Sequence, residues 1–226
     1  MVIAESIDHA AMRLERAGLC YGHGTDNARD EAAWLVLHAV GAPLDGSFTD
    51  WGRELTPAQE ERIKRLLNER CESRAPLAYL LGTAWFAGLE FEVDENVLVP
   101  RSPLAELILD RYQPWVDPGR IRRVLDLCTG SGCIAIASAA CLPQVRVDAA
   151  DISAGALDVA RKNVKRHGLE SRVRLYLSDL FDDVPGERYD LLVRLAWVGN
   201  WDAQIDYLDI RRKRTLGTAV TTISTQ

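Results

Sequence analysis

The chain has 226 residues, a length that allows one ordinary domain and a small second one. Its residues are 47% apolar and 27% charged, a composition typical of a globular protein. Its formal net charge of −6 argues against direct, sequence-independent binding of nucleic acid and favours a basic protein partner. No apolar run approaches the roughly 20 residues that span a bilayer, and residues 1–10 lack a signal-peptide pattern, so we predict a cytoplasmic protein without a membrane segment.

The five cysteines are an odd number and include no Cys-x-x-Cys pair. We therefore expect reduced thiols rather than disulfides or zinc ligands, and no metal site.

The first third of the chain is predicted to be helical. Apolar residues at helical spacing indicate helices near residues 7–17 and 29–40. A third helix is expected to begin at Thr56, which suits the N-cap, with Gln59 completing a capping box. These helices predict a small domain over residues 1–75, which serves either as a scaffold or in substrate docking.

A different pattern over residues 76–118 predicts a linker. Residues 85–93 alternate and turn like a short β-hairpin. Ser102 suits a helix N-cap with Pro103 at the first helical position, so a connecting helix is expected to follow.

From residue 119 to residue 193, strands alternate with helices. The predicted strands span residues 124–127, 145–150, 173–177 and 189–193, and the predicted helices run over 133–141 and from the Ser153 cap to near Gly168. Alternation at this length predicts parallel strands with right-handed crossovers, which is a doubly wound α/β sheet.

A glycine turn follows the first of these strands. Gly130 and Gly132 allow the backbone to turn tightly and to approach a ligand that faces the N-terminus of the next helix. Asp151 ends the next strand, where a carboxylate in a nucleotide site accepts hydrogen bonds from both ribose hydroxyls. The alternative role for Asp151, capping the following helix, is one that Ser153 already fills well.

Two cofactor classes share this layout. An NAD-type dinucleotide is compatible with the small residues of 130–135, but Asp126, at the expected mouth of the site, would repel a pyrophosphate. The same carboxylate suits the ammonium and sulphonium groups of S-adenosylmethionine, so the residues favour that methyl donor. Asp179 follows the third strand, where a carboxylate can accept from an adenine amino group; the alternative is a solvated loop acid.

Five segments resemble the protein-glutamine N(5)-methyltransferases, the HemK-like family. They are residues 76–82, 86–91, 97–108, 126–132 and 178–181. The resemblance extends over about residues 1–193. It implies a helical N-terminal domain that helps to recognise a protein substrate, a β-hairpin linker, and a Rossmann-like sheet that uses S-adenosylmethionine.

The resemblance also assigns roles to individual positions. The residues expected to hold the donor are Asp126, Cys128, Thr129, Gly130, Ser131, Gly132, Asp151, Asp179 and Leu180. Arg101 would lie in the linker motif near the active-site mouth, on the substrate side. Release-factor methyltransferases usually carry Arg-Pro-Glu-Thr-Glu where this chain has residues 101–105. The difference favours a basic large-subunit ribosomal protein as substrate, with a release factor as the alternative.

The family pattern stops after Val193. Where the family reads Ser-Asn-Pro-Pro-Tyr, this chain continues from Arg194 as Arg-Leu-Ala-Trp-Val, and it contains no Asn-Pro-Pro-Tyr anywhere. In the family, the Asn side chain and a proline carbonyl accept the hydrogens of the substrate amide and aim its nitrogen at the methyl group. We therefore assign no catalytic residue.

Residues 194–226 are expected to form a divergent tail that leaves the methyltransferase sheet truncated. We interpret this tail as a C-terminus replaced through a frameshift, an insertion or a misassigned gene end. The alternative function is then that of an inactive homologue, which at most binds the methyl donor or a protein partner.

Overall fold

The computed structural model describes residues 1–22, 24–101, 104–186 and 188–194. The chain divides into two compact units, Met1–Thr83 and Ala84–Gln226. The predicted division at residues 75 and 118 is not tested by these two units and stays a prediction, and the predicted tail lies outside the described residues from residue 195 onward.

The first unit is helical, as predicted. Its helices are α1 (Ile3–Arg16), α2 (Ala28–Val40), α3 (Pro57–Ser73) and α4 (Leu77–Leu81). Helix α2 ends at Gly41, whose φ of 69° is the left-handed conformation that glycine adopts at little cost. The capping box of α3 is confirmed, because Thr56 Oγ1 accepts from the Gln59 amide at 3.3 Å and Gln59 Oε1 accepts from the Thr56 amide at 3.0 Å.

A buried ion pair joins α2 to α3. Arg70 Nε donates to Glu31 Oε1 at 2.7 Å, and the two side chains are 2% and 5% exposed. Arg70 also donates to the Cys20 carbonyl at 3.2 Å. A buried charge needs such partners, so this pair fixes how the two helices pack.

The second unit holds the predicted hairpin and the parallel sheet. Its elements are β1 (Thr83–Phe86), β2 (Leu89–Glu92), α5 (Leu104–Leu109), β3 (Arg123–Leu127), α6 (Cys133–Cys141), β4 (Arg146–Asp151), α7 (Ala154–Arg166), β5 (Val173–Leu177) and β6 (Leu191–Arg194). Strands β1 and β2 form a two-stranded sheet, and the four-stranded sheet has the order β5-β4-β3-β6. All its recorded pairings are parallel, which confirms the α/β class.

The core of this unit lies between the sheet and its helices. Residues 133–139 of α6 are buried all round, as expected for a helix of small and apolar residues packed on a sheet. The buried residues of α6 and α7 join those of β3, β4 and β5 in one cluster. Because all four strands run the same way, their carboxyl ends lie at one edge, which is where parallel sheets bind ligands.

Three expectations about composition can be compared with the fold. All five cysteines are free. No helix within the described ranges is long and apolar enough to cross a membrane. No group of three or more potential metal ligands occurs among those same residues.

Candidate functional site

The turn between β3 and α6 has an unusual backbone. Cys128, Gly130 and Gly132 have φ angles of 58°, 55° and 78°, all left-handed. The Thr129 amide donates to the Ala150 carbonyl at 3.0 Å, and the Gly132 amide donates to the Thr129 carbonyl at 2.9 Å. These bonds fix a tight reversal at the carboxyl edge of the sheet, directly before α6.

The two glycines of this turn have different surroundings. A Cβ on Gly132 would lie 3.3 Å from Ala160 Cβ and 3.4 Å from Ile136 Cδ1, so this glycine allows the turn to pack against α7. A Cβ on Gly130 would have no heavy atom within 4 Å. Gly130 therefore borders open space into which a ligand can fit.

Asp151 ends β4 beside this turn. Its Oδ2 accepts from the Gly130 amide at 2.9 Å, and its Oδ1 accepts from the Ser153 amide at 3.0 Å. Ser153, not Asp151, caps α7, because its hydroxyl accepts from the Ala156 amide at 3.2 Å. Each Asp151 oxygen keeps a further lone pair, so the carboxylate can still accept from ligand hydroxyls.

Asp126 is fully buried, although the sequence places it at the mouth of the site. Its Oδ2 accepts from Thr129 Oγ1 at 2.6 Å, and its Oδ1 has no hydrogen-bond partner. Burial raises the pKa of Asp126 to about 7, and the bond from Thr129 opposes that shift. A cation placed near the turn would favour the ionised carboxylate.

The turn after β5 contains Asp179 and Leu180. Ser178 anchors it, because the Ser178 hydroxyl donates to the Leu180 carbonyl at 3.1 Å and accepts from the Asp183 amide at 3.0 Å. The Ser178 amide donates to the Asp151 carbonyl at 3.0 Å, which ties this turn to the end of β4. Asp179 is exposed, as a carboxylate available to a ligand must be.

Three exposed apolar side chains accompany these carboxylates. Ile152, Leu177 and Leu180 are 70%, 57% and 36% exposed. They lie at the carboxyl ends of the neighbouring strands β4 and β5 or directly after them, where they can cover a planar base. Sequence reasoning missed Ile152 and Leu177, although an apolar residue directly after the strand-ending Asp151 was a signal.

Sequence reasoning also missed Asn163, which is buried in α7. Its Nδ2 donates to the carbonyls of Ser131 and Glu92, both at 2.9 Å, and its Oδ1 accepts from the Glu92 amide at 2.7 Å. Asn163 thus joins the glycine turn to β2. Its position within the apolar stripe of α7 was the only local signal.

Arg194 is the first residue at which the sequence leaves the family pattern. It ends β6 and pairs in register with Leu127, the last residue of β3. Burial raises the pKa of the Cys128 thiol, and the nearby charge of Arg194 opposes the shift. A cation therefore borders the glycine turn.

Two other predicted features belong to the segment that precedes α5. Arg101 is exposed and precedes α5, and its substrate role stays a prediction. The predicted cap at Ser102 and Pro103 lies outside the described residues.

Comparison with known proteins identifies the lineage. Residues 107–194 match the methyltransferase small domain, and residues 5–82 match the PrmC N-terminal domain. The ribosomal protein uL3 glutamine methyltransferase of Bordetella pertussis is 44% identical over 84% of this chain and 64% of its own length. The protein of the same name from Xanthomonas campestris pv. campestris is 46% identical over 84% of this chain and 62% of its own length.

The chain belongs to the HemK-like methyltransferase family. It spans less than two thirds of the length of these curated relatives.

Solved structures align over shorter stretches. A ribosomal protein L11 methylase from Lactobacillus delbrueckii subsp. bulgaricus is 30% identical, with a TM-score of 0.33 over 40% of this chain and 43% of its own. The family assignment rests on the sequence matches alone.

The family identifies S-adenosylmethionine as the methyl donor, and the residues at the turn fit it. The unpartnered Oδ1 of Asp126 suits a cationic ligand, and the open space at Gly130 admits it. The exposed apolar residues suit its adenine. The NAD-type alternative is thereby set aside, since a pyrophosphate would lie near Asp126.

Proposed function

We propose that the protein transfers a methyl group from S-adenosylmethionine to the side-chain amide of a glutamine in the large-subunit ribosomal protein uL3. The observation that carries the proposal is the 44% identity to a uL3 glutamine methyltransferase over 84% of this chain, a stretch that includes the glycine turn and both carboxylates. We expect such a substrate to be basic and cytoplasmic, and the net charge of −6 would favour its binding.

The residues at the turn have separate roles in holding the donor. Residues 128–132 would surround its methionine end, where Gly130 leaves room for the ligand. Asp126 would supply negative charge beneath the turn once a cation favours its ionised form. Asp151 would accept from the ribose hydroxyls through its remaining lone pairs.

The other end of the donor would lie over the turn after β5. Asp179 would accept from the adenine amino group, and Leu180 and its apolar neighbours would cover the ring. When bound, S-adenosylmethionine supplies an activated methyl group on a positively charged sulphur. The protein supplies position and charge, which are the main contributions to such a transfer.

Methyl transfer also requires residues that orient the substrate amide. An amide nitrogen is a poor nucleophile because its lone pair is delocalised, so residues must accept its hydrogens and orient it. Residues 195–226 contain no Asn-Pro-Pro-Tyr to do this, and they lie outside the described residues. The second candidate function, supported by this departure, is donor or partner binding without transfer.

A transfer assay distinguishes these functions. The purified chain is incubated with methyl-labelled S-adenosylmethionine and uL3, with a release factor in a parallel reaction, and donor affinity is measured by calorimetry. Label on a uL3 glutamine supports the first function, whereas donor binding without label on either protein supports the second. Label on the release factor alone would overturn the ribosomal substrate.

Asp151→Asn tests the donor site, and Asp182→Asn is its matched control. The amide keeps one acceptor oxygen but loses the charge, so donor affinity is expected to fall at least tenfold in a folded protein. Asp182→Asn, an exposed change in the turn after β5, is expected to leave it unchanged. Absence of donor binding by the wild-type chain would overturn the methyl transfer and the donor-binding form of the second function, and would leave only partner binding.

A further inference from the structure

Helix α7 holds the glycine turn through two contacts on one of its faces. Residues 160 and 163 are three positions apart and therefore lie side by side on the helix. Ala160 packs against Gly132, where an added Cβ would lie 3.3 Å from the Ala160 Cβ. Asn163 Nδ2 donates to the Ser131 carbonyl at 2.9 Å. The first contact sets how closely the turn approaches α7, and the second sets the direction of a peptide group.

The glycine turn needs such contacts to keep one shape. Gly130 and Gly132 have φ angles of 55° and 78°, and glycine reaches other conformations at little cost. Two hydrogen bonds restrict the peptide between Ser131 and Gly132. Its carbonyl accepts from Asn163, and its amide donates to the Thr129 carbonyl at 2.9 Å. Of these two bonds, the one from Asn163 comes from outside the turn.

The preceding peptide, between Gly130 and Ser131, lies beside the space that a ligand can fill. Neither its carbonyl nor its amide forms a hydrogen bond within the part of the chain that the structure describes. Its direction therefore depends on the groups that are fixed on either side of it. Asp151 holds the Gly130 amide on one side, and Asn163 holds the Ser131 carbonyl on the other.

Asn163 can act on the donor only through this backbone. It is 0% exposed, so it cannot touch a ligand in the open space at Gly130. We infer that Asn163 is a positioning residue, which sets donor affinity by holding the Ser131 carbonyl. This inference rests on the proposed donor site. A turn that spends about one tenth of its time in the binding conformation would bind the donor about tenfold more weakly.

Asn163 also holds the hairpin through Glu92, so its contact with the turn must be tested apart from its contact with the hairpin. His167, near the end of the same helix, provides the control. Its Nε2 donates to the Glu90 carbonyl at 2.9 Å, and its ring centroid lies 5.2 Å from that of Phe91. His167→Ala therefore removes a contact between α7 and the hairpin and keeps the bond from α7 to the turn.

Calorimetry on the whole chain measures the dissociation constant of S-adenosylmethionine for the wild type, Asn163→Leu and His167→Ala. Leucine has a similar branched shape but no group that can donate to a carbonyl. Asn163→Leu is expected to weaken donor binding about tenfold, and His167→Ala by less than about twofold. Urea denaturation is expected to show that both variants lose stability. A purely structural role of Asn163 would lower stability and leave the donor affinity of the folded variant unchanged.

The outcomes are distinguishable. A donor affinity of Asn163→Leu within about twofold of the wild type would overturn the inference and leave the proposed function standing. An equal loss of affinity in His167→Ala would also overturn it, because a general loosening of α7 would then explain both results. Failure of the wild type to bind the donor would overturn the proposed methyl transfer itself.

Asn163→Ser is the second variant, for the case in which Asn163→Leu unfolds as judged by circular dichroism. Its hydroxyl ends one bond short of the position of the amide nitrogen, so it cannot span from α7 to the same partners. Donor affinity is again expected to fall about tenfold. Wild-type affinity in folded Asn163→Ser would contradict the positioning role.

Discussion

Asp126 carries a carboxyl group that folding removes from water. Burial raises its pKa to about 7, whereas in the unfolded chain its pKa is near 4. The folded state therefore holds a proton over an interval in which the unfolded state has released it. Stability from this group is complete below pH 4 and is lost as the pH rises to about 7.

The substitution Asp126→Asn should remove this dependence. Relative to the variant, the wild type is expected to lose about 2 kcal/mol of unfolding free energy between pH 5 and pH 8. Urea denaturation at both pH values measures the difference, with the exposed Asp182→Asn as control. Parallel pH profiles for wild type and Asp126→Asn would contradict the burial argument.

Gly130 and Gly132 offer a matched pair of substitutions by alanine. Both have positive φ, so each change costs about 1 kcal/mol in backbone strain. Gly132→Ala also brings a methyl group against Ala160 and should cost about 2–3 kcal/mol in total. Urea denaturation measures both losses.

For donor affinity the order of the two variants should be the opposite: Gly130→Ala should lose more affinity than Gly132→Ala. The methyl group of Gly130→Ala enters the open space at the turn, so we expect this folded variant to bind S-adenosylmethionine at least tenfold more weakly. Equal losses of stability in the two variants, or unchanged donor affinity in Gly130→Ala, would show that the two glycines do not have separate roles.

At the scale of elements, helix α7 connects the glycine turn to the hairpin. Replacing Asn163 by alanine leaves the Glu92 amide, the Glu92 carbonyl and the Ser131 carbonyl without their partner. We expect a loss of about 3 kcal/mol in unfolding free energy, since these groups are buried or half-buried. The exposed neighbour Lys162→Ala should change it by less than about 0.5 kcal/mol. A similar small effect for Asn163→Ala would show that water replaces these bonds.

Elements with local signals could be predicted from the sequence. The caps at Thr56 and Ser153 and the stop at Gly41 involve residues no more than four positions apart, so the sequence alone indicates them. Helix α4 was not predicted, because its five residues carry no side-chain cap. Strand β6 begins at Leu191, two residues later than predicted, because the carboxylate of Asp190 accepts the Arg122 and Arg123 amides.

The residues of the candidate site could be predicted from the sequence, but the burial of Asp126 could not. The glycine turn and the acid after β4 follow from order along the chain. The burial of Asp126 depends on the helices and strands packed around it, and the bonds of Asn163 reach residues 71 and 32 positions away. No sequence window contains those contacts.

At the scale of the whole molecule, the net charge of −6 would attract the proposed substrate if that substrate is basic. The screening length falls from about 10 Å at 0.1 M salt to about 3 Å at 1 M. We expect affinity for uL3, measured by fluorescence anisotropy, to fall at least tenfold between 50 and 500 mM NaCl. Donor affinity, which depends on groups packed at the turn, should change less than threefold. An equal salt response of both ligands would contradict long-range attraction.

The contact between Asn163 and β2 has a consequence for how occupancy of the site can be observed. The Glu92 amide hydrogen can exchange with deuterated solvent only when its 2.7 Å bond to Asn163 opens. The same side chain holds the Ser131 carbonyl, so a ligand that steadies the turn also keeps that bond closed. Deuterium uptake at Glu92, on a hairpin that the donor need not touch, should therefore slow as the donor fills the proposed site at the turn.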